Sequence, residues 1–128
     1  MLYKPGVCNI GKNEIRKRYA LAVLSFIITA VLFCLFYLYS FTTIWFVVLV
    51  FPLLFGFEGF YQGYLHFCAG FGMSRRYDFS GTRNEHGVVN DKKQHLKDLI
   101  RSMQINAYSI WSAVLVTILL VLLQAILH

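Results

Sequence analysis

The stretch FPLLFGFEGFYQGYLHFCAGFG, residues 51 to 72, decides how the chain is read. It is apolar enough for lipid, yet it carries a carboxylate, an amide and an imidazole. Placed on a helical wheel at about 100° per residue, its residue classes separate. Gly56, Gly59, Gly63 and Gly70 share one arc, Glu58, Gln62 and His66 form a second stripe at spacings of four, and most of the remainder is aromatic or aliphatic. Such a helix has one side suited to lipid and one that a neighbouring backbone can approach closely. The expected element is a membrane-spanning helix with a packing face and a polar seam.

Composition points the same way. Of 128 residues, 58% are hydrophobic and 14% charged, too apolar a balance for a soluble fold of that size. The net charge of +6 is not spread over a surface: all 12 Lys and Arg fall within residues 4 to 18 and 75 to 101, each block bordering an apolar run. Basic flanks of this kind read as topology signals and contacts to anionic lipids, not as a nucleic-acid footprint.

Outward from the central stretch, residues 19 to 41 give 23 positions without a charge, about 34 Å of helix and enough to span a bilayer core. The link SFTT allows only a tight turn, so a second span is expected over 44 to 68, bent at Pro52. Asn13 is the expected N-cap of the first helix, with Glu14 in its first turn. Residues 74 to 90 read as a polar loop. Leu96, Leu99, Ile100 and Met103 repeat at three and four, which predicts a short interfacial amphipathic helix. A third span follows over 106 to 127, anchored by Tyr108 and Trp111.

The expected fold is therefore an all-α integral membrane protein: one domain over 1 to 128, a two-helix hairpin plus a third span, and a cytoplasmic segment over 74 to 104 that carries the amphipathic helix. By the positive-inside rule the N terminus is cytoplasmic and the C terminus outside.

Glu58 is the candidate with most chemical content. If the second span ends near residue 71, the carboxylate lies about 20 Å inside it and has to be protonated or paired. Glu58, Gln62 and His66 then read either as interhelical hydrogen bonding or as the lining of a proton or ion path. His66 and Cys68, with Cys8 at a similar depth, offer a nitrogen and two sulfurs, but His66 and Cys68 point about 160° apart on a helix, so no metal site is expected. No Ser/His/Asp set, phosphate loop or HExxH occurs, and neither catalysis nor a cofactor is expected.

CNIGKNEIRKR before the first span and HFCAGFG at the end of the second resemble a small class of bacterial inner-membrane hairpin proteins, some fused to a rhodanese domain. The resemblance covers residues 8 to 72 and touches Cys8, Asn9, Gly11, Glu14, Arg16, Cys68 and Gly72. It implies a bacterial inner-membrane location. It also implies that the two ends of the hairpin meet at the cytoplasmic face, with Asn9 or Glu14 bonded to the end of the second helix. The chain lacks the Cys-Pro pair associated with the class and adds a third span. The expected role is a non-catalytic subunit or assembly partner, bound to other membrane subunits or to itself. The alternative is a minimal oligomeric proton, ion or small-solute transporter lined by Glu58, Gln62 and His66.

Overall fold

The computed structural model describes residues 3 to 80 and 86 to 127. In chain order the elements are α1 (Lys12–Leu38), α2 (Thr43–Val47), α3 (Val50–Leu65), α4 (Ala69–Met73), β1 (Arg76–Asp78), β2 (His86–Val88) and α5 (Lys92–Leu127). Three helical stretches, Lys12–Leu38, Thr43–Leu65 and Lys92–Leu127, are long and apolar enough to cross a membrane. The middle stretch is central: α1 packs along one side of α3 and α5 along another, while α1 and α5 hardly touch. Phe46, Leu49, Leu53 and Ala113 form the buried centre of this bundle. Both basic blocks lie at the same end of it.

The second span is not one unbroken helix over 44 to 68. It is interrupted at Val48 and Leu49, where the amides of Val48, Leu49 and Phe51 each bond the carbonyl three residues back. Pro52 then sits in the first turn of α3, where its missing N–H removes little. The sequence expectation of a disturbance at Pro52 is met one turn early, by a tightened turn that delivers the proline to a helix start.

At its other end α3 stops at Leu65, short of Cys68. His66 adopts the left-handed conformation (φ 54°, ψ 39°), its amide bonds Gly63 O, and the Phe67 amide reaches back to Gln62 O at 3.0 Å. These paired bonds are a Schellman ending, with histidine where glycine is usual. Everything beyond His66 leaves the helical wheel.

The separate amphipathic helix and the span over 106 to 127 are in fact one helix, α5, of 36 residues and about 54 Å. Nothing in RSMQIN breaks it. Asp91 caps its start, accepting a hydrogen bond from the Lys93 amide at 2.8 Å. The apolar repeat that suggested an interfacial piece points outward: Leu96, Ile100 and Met103 are exposed, whereas Asp98, Ser102 and Ile105 are buried.

The expected loop over 74 to 90 contains an antiparallel hairpin pairing Arg76 with Val88 and Asp78 with His86; residues 81 to 85 of that segment lie outside the described residues. The opening segment docks against it. Ile10 bridges Asp78 in parallel, Gly11 N donates to Asp78 O (2.8 Å), and Asp78 N donates to Asn9 O (2.9 Å). Gly11, not Asn13, is the N-cap of α1; the Asn13 amide bonds Ser80 O instead. A Cβ on Gly11 would lie 2.7 Å from Phe79 Cα, so the two backbones touch where no side chain fits. Ile10, Phe67 and Phe79 are fully buried in the resulting cap.

Candidate functional site

Two groups of candidate residues occupy two different places. The first is the face of α3. Gly56, Gly59 and Gly63 all meet α1: a Cβ on Gly59 would stand 2.6 Å from the Arg18 carbonyl, one on Gly56 would enter the Phe26 ring, and one on Gly63 would press on Tyr19. On the α1 side the buried positions are Ala22, Ser25 and Thr29, small residues that complete the close approach. Gly70 does not share this face. It belongs to α4, is exposed, and has only Cys68 Sγ near its missing side chain, at 3.8 Å.

Glu58 looks towards α5. Gln62 Nε2 donates to Glu58 Oε2 at 2.8 Å, and the carboxyl lies near Ser109 of α5, whose hydroxyl donates to Ile105 O at 2.9 Å. One turn along, Tyr61 and Ser112 share a hydrogen bond of 2.7 Å. His66 is no part of this stripe, because the helix ends before it. The same ending changes how far the carboxyl lies from the end of its helix. Glu58 is seven residues, about 10 Å, from the end of α3, not about 20 Å, and lies beside the glycine that touches Arg18.

The second place is the cap, where the residues of the opening motif gather. Asn9 is completely buried and holds Cys68 from both directions: its Nδ2 donates to Cys68 O (3.1 Å), and the Cys68 amide donates to its Oδ1 (2.7 Å). Its own amide bonds His66 O at 3.2 Å. The start of the first helix is thereby stitched to the end of the second, through Asn9. Glu14 is buried nearby and accepts from Lys17 (3.1 Å) and Arg18 (3.3 Å). Arg18 Nη2 also lies 3.0 Å from Cys68 Sγ, and the guanidinium stands 6.0 Å over the Phe71 ring. Arg16 is exposed and takes no part, so the engaged arginine of the IRKR run is Arg18.

Cys8 is buried beside this knot, its thiol directed at Ile10 O at 3.7 Å, and burial pushes its ionisation up. Gly72 of α4 leaves room for Ser102 and for the Phe67 ring. Ser102 Oγ donates to Ala69 O at 3.0 Å, fixing α4 to α5.

Sequence reasoning missed Asp98. It is fully buried and accepts from the Tyr3 hydroxyl (2.6 Å) and the Gly6 amide (2.8 Å). The Tyr3 ring stacks on Tyr77 at 5.1 Å, and burial together with Asp98 raises the Tyr3 hydroxyl well above its ordinary ionisation range. The available signal was Asp98 and Ser102 at i and i+4, a polar pair on a helix otherwise read by its apolar residues. Among the described residues, no three His, Cys, Asp or Glu side chains come together as a metal site would need.

Compared with known proteins, the chain matches no family model, no curated protein and no solved structure.

Proposed function

We propose that the chain is a non-catalytic multi-pass protein of a bacterial inner membrane, acting as a subunit or assembly partner of a larger membrane complex or homo-oligomer. In this reading the capped end, with both basic blocks, faces the cytoplasm, and Leu127 lies outside.

The observation that carries the proposal is where the polar and close-packing features point. The Gly56, Gly59 and Gly63 face is filled by α1, and Glu58 is bonded by Gln62 and lies near Ser109 of α5. Features that would line a path or hold a substrate here join the protein's own helices. What remains outward on α3 is two aromatic pairs on opposite sides of the helix, Phe51 with Phe55 and Phe60 with Tyr64, all exposed. Rings on a lipid-facing helix offer large, rigid contact area to a partner span. Purification of the full chain in mild detergent is expected to give an oligomer or a hetero-complex; a folded monomer from every mild detergent would overturn the proposal.

One observation favours a transport role instead: the Glu58 carboxyl has an amide partner in Gln62 but no cation paired with it among the described residues. Under that reading Glu58→Gln abolishes flux in liposomes while assembly persists. Under the assembly reading the substitution costs about 1 kcal/mol or less, since the amide keeps a hydrogen bond to Gln62.

A further inference from the structure

At the start of α5 lies a recess of about 240 Å³ lined by Pro5, Gly6, Lys97, Ile100, Arg101 and Gln104. Two cations face it, and one is incompletely bonded: Arg101 Nη1 donates to Gln104 Oε1 at 3.3 Å, while its Nε is buried with no partner among the described residues. A guanidinium Nε–H in that state has an unmet need for an acceptor. Asp98, three residues earlier on α5, does not meet it, because Asp98 is bonded by Tyr3 and Gly6.

The recess also has a definite depth. Ser102 is level with Ala69 through their hydrogen bond, and the neighbouring Cys68 is level with Arg18, the last charge before the first apolar run. Arg101 therefore stands where the hydrocarbon begins. Below it one outward face of α5 continues through Gln104, Tyr108, Trp111 and Leu115, all exposed. The spacing alternates between three and four residues and keeps them in one row. That row passes from guanidinium to amide to interfacial aromatic to aliphatic over about 21 Å. This is the polarity order of a phospholipid in one leaflet, and a free anion would have no use for it.

We propose that this recess binds the phosphate of an anionic phospholipid, held by Arg101 and Lys97, with the acyl chains lying along Tyr108, Trp111 and Leu115. The inference rests on the membrane reading above.

The test uses the full chain in lipid nanodiscs and in detergent, with bound lipid counted by native mass spectrometry. Phosphatidylglycerol is expected to be retained in preference to phosphatidylcholine. Arg101→Gln should lower that preference by about five-fold or more, Lys97→Gln by somewhat less, and Lys92→Gln, outside the recess, should leave it unchanged. Arg101→Lys should restore part of it, and it decides the matter if Arg101→Gln does not fold. Equal retention of the two lipids by the unaltered chain, or unchanged preference in both Arg101 variants, overturns the site. Displacement of the lipid by millimolar inorganic phosphate would make it a free-anion site and overturn the lipid assignment. A chain that does not enter nanodiscs at all contradicts the membrane reading, an outcome distinct from entry without lipid preference.

Discussion

The contact between α1 and α3 and the cap at their joined ends hold together by opposite means. Between the helices, backbone meets backbone: Gly59 lies against the Arg18 carbonyl and Ala22, and small residues bring the axes close. Lipid gives no hydrophobic drive for helices to associate, so fit and dispersion have to supply it. In the cap the chain is irregular, and its exposed amides and carbonyls need partners; Asn9 alone joins Cys68 and His66, and its carbonyl receives the Asp78 amide. The first interface fails when volume is added, and the second when a hydrogen-bonding group is removed.

The largest expected effect follows from added volume. Gly59→Leu drives a side chain into backbone that cannot yield, and the α1 to α3 hairpin should lose its packing, read as loss of cooperative thermal unfolding in detergent. Stability near that of the unaltered chain would mean that the two helices are not in contact there.

Next is Asn9→Ala, which leaves buried groups of Cys68 unpaired. A loss of about 2–4 kcal/mol is expected. The cap should loosen while the spans remain, seen as faster hydrogen exchange at residues 66 to 80 with little change in helix content. Equal loosening of the spans would show that the two regions are one cooperative unit.

The smallest effect sharpens the boundary between them. His66→Gly places the residue suited to positive φ at the end of α3 and should raise stability by less than about 1 kcal/mol, because relief of strain is partly offset by greater freedom of the unfolded chain. A marked loss of stability would give the imidazole a role beyond capping.

The same contrast separates what was legible in the sequence from what was not. Three apolar runs were readable because a helix able to cross a membrane needs length and continuity, and the glycine spacing of α3 was readable because a helix repeats it. The Glu58 to Gln62 contact is a direct consequence of i and i+4 spacing. The wheel, however, has no means of stopping. It carried His66 into the polar stripe and Gly70 into the glycine arc, both of which the left-handed turn at His66 had already ended, and so set Glu58 too far from the end of its helix. In α5 the repeat of Leu96, Ile100 and Met103 was real but faced outward, because Asp98 and Ser102 are held by the opening segment and α4. Those contacts join residues 95 and 33 positions apart, a separation on which no local pattern reports.

The bond from Tyr3 to Asp98 also sets an order of events during synthesis. The segment that leaves the ribosome ahead of the first span has no site on which to settle until the start of the last helix has been made. By then the first two spans are already complete. Closure of the cap thus waits on residue 98, and a product truncated before it would leave the opening segment unlatched.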